Sequence, residues 1–386
     1  MKKVLLIAPM SSVHERFNRI NIEVLKSLGY ELHVAANFEC GSTEDLRYHA
    51  RYKNLLEEEG IIVHQIPFFR SSLIKNIKAI QVCKKLFSKE CFDMIHVHTE
   101  TGGFITRIAL LHNTQTRLIY TPHGMSFYKG SSLKSWFFYY PIEKWICKRS
   151  SANLAMNQEE FAVLKNYHSS TAYFVHGVGL DINKISNQQV NLIQKRQELE
   201  IPEDAFLILS IGELNKNKNH EIVLRALAKM KDLNWYYLIC GEGSLKQHLE
   251  AVALSLGVSN QVLLAGYRRD IPQIIKVADL FIFPSFHEGL PVSLMEAMAG
   301  GLPIICSKIR GNVDLITEGE GGYLCPPESI EAFYKALVTL RFNKGLIEHM
   351  GQNNLNRIQD FTQEKVANEL EKIYKEVLYD EEESFN

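Results

Sequence analysis

Two glutamates with seven residues between them, Glu288 and Glu296, have the type and spacing most suited to chemistry in this chain. They lie in Phe283-Pro284-Ser285-Phe286-His287-Glu288-Gly289-Leu290-Pro291-Val292-Ser293-Leu294-Met295-Glu296, directly after the apolar run Leu280-Phe281-Ile282. The order predicts a strand, a tight loop opened by Pro284 and Gly289, and a helix with Pro291 in its first turn, where a missing N–H costs nothing. Glu288 then sits in the loop and Glu296 two helical turns further on, facing the same opening. Backbone N–H groups of Gly289, Leu290 and Val292 lie at the helix N-terminus, where an anion is favoured. Carboxylates for a polyol beside amides for a phosphate describe a site for a nucleotide sugar. As a purely structural alternative, Glu296 only caps or salt-bridges the helix.

The first half offers one comparable residue. His123, in Tyr120-Thr121-Pro122-His123-Gly124, falls at the carboxyl end of an expected strand. In open α/β sheets ligands bind beyond those ends.

The elements that must position these residues alternate along the whole chain. Short apolar runs predict strands at 4–8, 32–36, 61–66, 94–97, 118–121, 152–156 and 172–175, then at 206–211, 235–240, 261–265, 280–284, 303–306 and 322–325. Helical stretches such as 19–28, 75–87 and 106–111 separate most of them. Continuous apolar strands between helices imply parallel sheets covered on both faces. The fold class is therefore α/β, with two Rossmann-like domains whose parallel sheets face a central cleft. The expected boundaries are 1–185, a polar linker at 186–202, a second domain at 203–360, and an amphipathic segment from 361 on. The end, Asp380-Glu381-Glu382-Glu383, is an acidic run that reads as solvated.

Bulk properties suit a large enzyme: 386 residues, 46% hydrophobic, 23% charged. A net charge of -1 supplies no field for nucleic acid. Seven cysteines without a CxxC indicate neither a disulfide framework nor a zinc site, and fit a reducing cytoplasm. The opening Met-Lys-Lys-Val-Leu-Leu-Ile-Ala-Pro is too short for a signal peptide core and reads as a first strand. From Tyr128 to Arg149, lysines alternate with Trp136, Phe137, Phe138, Tyr139, Tyr140 and Trp145. That mixture suits either a membrane interface or a helix half packed into a core.

Glu288 and Glu296, with the Glu-Gly-Leu-Pro loop, the Met-Glu-Ala-Met helix and the run Gly301-Leu302-Pro303-Ile304-Ile305, resemble the E-x7-E signature of retaining glycosyltransferase family 4. The resemblance spans nearly the whole chain and is closest to enzymes of capsule or exopolysaccharide assembly. It implies a GT-B fold, a nucleotide-sugar donor (a UDP-sugar), a glycan or lipid-linked acceptor, and a cytoplasmic protein with room for contact with the inner membrane face through 128–149. It implies no cofactor and no catalytic metal, in keeping with the lack of an Asp-x-Asp motif. The last helix of such enzymes crosses back to the first domain.

Residue by residue, the resemblance assigns Glu296 to the ribose hydroxyls and Glu288 to the donor sugar. Gly212 and Lys218 match a phosphate motif, with Lys216 as a further cation. Glu213 departs from that motif, which has an arginine there. Arg268 would border the base, Arg310 would approach sugar or phosphate, and Gly289, Leu290, Pro291 and Val292 would line the diphosphate. His123 matches a His-Gly motif presented to the donor sugar. His14 is a weaker acceptor candidate, in a segment where relatives carry a Gly-Gly turn and this chain has Ser11 and Ser12. With no carboxylate nucleophile evident, front-face displacement is expected. Two rival readings are a GT-B-shaped epimerase and a nucleotide-sugar-binding partner subunit of weak activity.

Overall fold

The computed structural model describes residues 1–40, 43–69, 76–113, 115–128, 130–167, 171–230 and 234–379, with the side chains of 43–45 left aside. Lys129, Lys75 and the acidic run 380–383, all considered above, lie outside the described residues. The chain divides into two compact units, Met1–Gly179 with the final helix, and Leu180–Thr362.

In the first unit the described strands are β1 (Lys3–Met10), β2 (Glu31–Asn37), β3 (Ile62–Gln65), β4 (Met94–His98), β5 (Arg117–Thr121), β6 (Ala152–Ala155) and β7 (Thr171–Phe174). They form one sheet in the order β3-β2-β1-β4-β5-β6-β7, with parallel pairing throughout. Alternate residues of each strand feed opposite cores. Val4 and Leu6 pack on one face with Leu25, Val34 and Tyr374, while Leu5 and Ile7 pack on the other with Ala79, Val97 and Ile105. Such two-sided burial is why a central strand such as β1 reads as an unbroken apolar run.

The second unit repeats the plan. Its strands are β8 (Phe206–Ile211), β9 (Trp235–Cys240), β10 (Val262–Gly266), β11 (Leu280–Phe283), β12 (Ile304–Ser307) and β13 (Gly322–Cys325). Their order is β10-β9-β8-β11-β12-β13. In both sheets the order reverses beside the first strand, between β1 and β4 and between β8 and β11. That switch point is where a doubly wound sheet leaves a crevice beyond its strand ends.

The expected boundaries are corrected by the structure. Residues 186–202 are part of the second unit. Leu199 and Ile201 are buried in its core, Lys195 pairs with Asp270 at 2.5 Å, and Arg196 binds Asp279 at 2.8 Å. Part of the polar stretch that suggested a linker is the helix Leu192–Glu198, in which Lys195 is buried and both Lys195 and Arg196 have acidic partners in the same unit. The chain changes unit at Gly179/Leu180 and again at Thr362/Gln363. Leu180 and Thr362 bridge there in parallel, with Leu180 N–H donating to Phe361 O at 2.8 Å. The final helix, Gln363–Tyr379, buries Val366, Leu370, Ile373 and Tyr374 against the first sheet. The Tyr374 hydroxyl donates to Asn21 Oδ1 at 2.7 Å.

One helix begins earlier than its sequence suggests. The expected 106–111 is the end of Glu100–Ala109, capped by the Thr99 side chain accepting from Gly102 N–H. Gly102 and Gly103 weaken the helical pattern, but packing requires small residues there. A Cβ on Gly103 would lie 2.6 Å from the Tyr120 ring.

Candidate functional site

At the switch point of the second sheet three loops are laced together. The loop after β8 carries Gly212–Asn219, the loop after β11 carries Pro284–Pro291, and the loop after β12 carries Arg310 and Gly311. Asn217 donates to His287 O at 2.9 Å and accepts from Phe286 N–H at 2.8 Å. Asn219, in the left-handed region at φ 53°, donates to Pro284 O and Pro327 O. Gly311 has φ 77°, and a Cβ on it would stand 2.2 Å from Gly289 O. Only glycine lets the third loop press onto the second so closely.

These contacts bring the sequence-predicted charges together. Lys218 Nζ donates to Glu288 Oε1 at 2.7 Å and stands 4.6 Å over the Phe283 ring. Its stem lies across Gly212, whose Cβ would meet Lys218 Cδ and Cε at 3.2 Å. Arg310, 7% exposed, donates from Nε to Glu288 O at 3.2 Å. Its Nη2 lies 2.6 Å from His287 Nε2. A guanidinium only donates, so that imidazole nitrogen carries no proton. Burial, and then the neighbouring Arg310, pushes His287 down to about 4.

Glu296 lies in the helix Val292–Ala299, entered through Pro291 at its N-cap. Its carboxylate holds no hydrogen bond or salt bridge with the described residues, so the capping and salt-bridge alternative is not what the structure shows. Burial raises its pKa to about 7, with Lys184 pulling weakly the other way. A half-buried carboxylate without a partner is held ready for hydroxyl donors.

Other expected residues are placed differently. Lys216 is exposed and lines a cavity of about 370 Å³ with Asn215, His248 and Phe286, apart from the Lys218–Glu288 pair. Arg268 is engaged by acids, with Nε and Nη2 on the two oxygens of Asp270 at 2.8 and 2.6 Å and Nη2 on Glu198 at 2.9 Å. Glu213 is exposed. Gly241 and Gly243 serve close packing, since Cβ atoms there would meet Gly212 O at 1.9 Å and Leu214 O at 2.4 Å. Among the described residues no group of three or more His, Cys, Asp or Glu is arranged to hold a metal ion.

The first unit has its own cavity at its switch point. About 310 Å³ is bounded by Pro9 and Met10 at the end of β1, Thr99 and Glu100 after β4, and His123 and Ser126 after β5. His123 has φ 57°, unusual for a residue with a Cβ. Glu100 accepts from Ser126 N–H at 2.7 Å and from its hydroxyl. His14 does not reach this cavity. It is fully buried, with Nε2 on Ala35 O at 3.1 Å and Nδ1 on Asn18 at 3.2 Å. Sequence reasoning passed over His98, Thr99 and Glu100, although the strand-end rule that singled out His123 applies equally to the end of β4.

Comparisons with known proteins agree with both halves. Residues 15–177 match the family model Glycosyltransferase Family 4, and residues 193–357 match Glycosyl transferases group 1. The chain is 28% identical to EpsD of Bacillus subtilis (strain 168), a glycosyltransferase by name, over 97% of this chain and 96% of that one. It is 28% identical to the UDP-Gal:alpha-D-GlcNAc-diphosphoundecaprenol alpha-1,3-galactosyltransferase of Escherichia coli, over 74% and 76%. Among solved structures, Anabaena HepE with UDP and glucose superposes with a TM-score of 0.78 at 18% identity, covering 97% of this chain and all of that one.

Proposed function

The chain belongs to glycosyltransferase family 4, with the GT-B fold, and from that premise we propose that it transfers a sugar, with retention, from a UDP-sugar to a glycan or lipid-linked acceptor in cell-surface polysaccharide assembly. The observation that carries the reading is the Lys218–Glu288 pair flanked by Arg310, with the unpartnered Glu296 on the adjoining helix. In this reading Glu296 accepts hydrogen bonds from the ribose hydroxyls and Glu288 from the donor sugar. Lys218 and Arg310 offset the charge that grows on the departing diphosphate. Arg310 thus fills the cationic role that Glu213 cannot. The acceptor hydroxyl attacks the anomeric carbon on the face the diphosphate leaves. The bonding pair of the broken C–O bond goes to the diphosphate, which takes the hydroxyl proton, so neither a carboxylate nucleophile nor a metal takes part. The donor assignment is supported by HepE, solved with UDP and glucose, and the acceptor class by the galactosyltransferase relative, named for a diphosphoundecaprenol substrate.

UDP release from a panel of UDP-sugars, with EDTA present and membrane lipid extract as acceptor, tests this. Release from one sugar, lost in Glu288→Ala, is expected. No release would favour a binding subunit, and a changed sugar configuration without release would favour an epimerase.

Acceptor access has its own support. No helix among the described residues is long and apolar enough to cross a membrane. The helix Leu133–Cys147 packs its later part inward through Ile146 and Cys147, while Leu133, Phe137 and Phe138 stand 87%, 75% and 62% exposed beside Lys134. Exposed aromatic and basic side chains together fit an anionic bilayer surface. Co-sedimentation with phosphatidylglycerol vesicles, lost in a Phe137→Ser/Phe138→Ser variant, is the expected result. Equal binding by that variant would refute it.

A further inference from the structure

A histidine pair stands at the strand ends of the first sheet. β4 and β5 pair in parallel with His98 opposite Thr121, and the chain turns at His123 and Gly124, whose φ values are 57° and 111°. The turn lays the His123 ring 5.1 Å from that of His98, with His98 Nδ1 2.8 Å from His123 Nε2. One of these nitrogens carries the shared proton, and the surroundings decide which. His98 is 1% exposed and its Nε2 has no hydrogen-bond partner among the described residues. Neighbouring rings cannot supply one. His96 uses Nδ1 on the Tyr374 hydroxyl and Nε2 on the Thr121 hydroxyl, and His14 uses Nε2 on Ala35 O. A proton on His98 Nε2 would be an orphaned buried N–H, which costs more than an unused lone pair. The proton therefore sits on His98 Nδ1, which donates to His123 Nε2. His123 must then carry its own proton on Nδ1, the nitrogen without a partner among the described residues, on a residue that lines the cavity. Burial keeps both rings uncharged, holding His98 well below 6.5 and His123 at about 4.

We propose that His98 is a positioning residue that locks His123 in the Nδ1–H tautomer, so that the His123 ring donates a hydrogen bond to a hydroxyl oxygen of the bound sugar. The proposal rests on the reading of His123 as a sugar contact. It also gives a reason for the left-handed backbone at His123, since strain of this kind persists only where the surroundings impose it.

The test combines ¹⁵N-histidine NMR, which reads the ring tautomer, with kinetics on the UDP-sugar that is turned over. The variants are His98→Asn, whose amide nitrogen falls near the place of Nδ1, His98→Leu, which has no donor, and His123→Ala, which also assigns the resonance. Wild type and His98→Asn are expected to show His123 protonated on Nδ1, with kcat within about threefold of each other. His98→Leu is expected to lose that tautomer and roughly tenfold in kcat, about one hydrogen bond, with KM little changed. His98→Gln, which moves the amide away from Nδ1, replaces it should the leucine variant not fold. A wild-type His123 protonated on Nε2 overturns the proposal, as does an asparagine variant as impaired as leucine. Unchanged activity in His123→Ala removes the sugar contact itself, while the tautomer measurement stands independently of it.

Discussion

If Glu296 holds the donor as proposed, its titration should couple donor binding to pH. Burial lifts its pKa from 4.5 to about 7, so the native state keeps a proton that the unfolded chain has lost over that interval. Stability therefore falls as pH rises from about 4.5 to about 7 and stays at the lower level above. The loss is at most about 3 kcal/mol from the size of the shift, and less in practice because the group keeps some solvent. Glu296→Gln removes the titration. It should match wild type near pH 4.5 and exceed it by about 1–3 kcal/mol at pH 8. Donor binding has the opposite slope, because ribose hydroxyls donate to the ionised carboxylate. Affinity for a UDP-sugar should rise about tenfold between pH 6 and the plateau above pH 7, and be flat and weaker in Glu296→Gln. Calorimetric titration from pH 5.5 to 8.5 measures both. A UDP-sugar is the right probe, because a terminal phosphate titrates near pH 6 and would imitate the effect. A flat wild-type profile, or a glutamine variant that keeps the slope, would refute this account of the carboxylate.

Gly311→Ala forces a Cβ into Gly289 O and a positive φ onto alanine. A loss of about 2 kcal/mol or more, seen as a Tm drop of roughly 4–8 °C with weaker donor binding, is expected, and a wild-type Tm would contradict the close approach of the two loops. Arg268→Ala breaks the two contacts to Asp270 and the one to Glu198, leaving Lys195 as their remaining cation. With the guanidinium 26% exposed, a cost of about 1–2 kcal/mol and a UDP affinity within about threefold of wild type are expected. A large affinity loss at unchanged stability would instead return Arg268 to the nucleotide base.

What the sequence made legible follows from which physics is local. Parallel strands buried on both faces write themselves as apolar runs, as β1, β8 and β11 do, while the edge strands β3 and β7 are only partly buried and show the signal more weakly. The Glu288–Glu296 spacing fixed a loop and a helix together because Pro284, Gly289 and Pro291 act within a few residues. The linker was misplaced because a short helix whose cations meet distant acids, Lys195 with Asp270 and Arg196 with Asp279, has the same composition as a solvated connector. Arg268 and Lys218 show the same limit from opposite sides. Both are cations in loops at strand ends, yet one is saturated by Asp270 and Glu198 while the other meets Glu288, seventy residues away. Asp270, two residues on, is a local sign that Arg268 is paired, whereas Glu198 and Glu288 lie seventy residues from the cations they meet and nothing local announces them. Tertiary pairing decides which cation is a brace and which is available to exchange its carboxylate for a phosphate. In the proposed reading, Lys218 gives up Glu288 to meet a diphosphate and the same step frees Glu288 for the sugar hydroxyls, so donor binding would engage both residues at once.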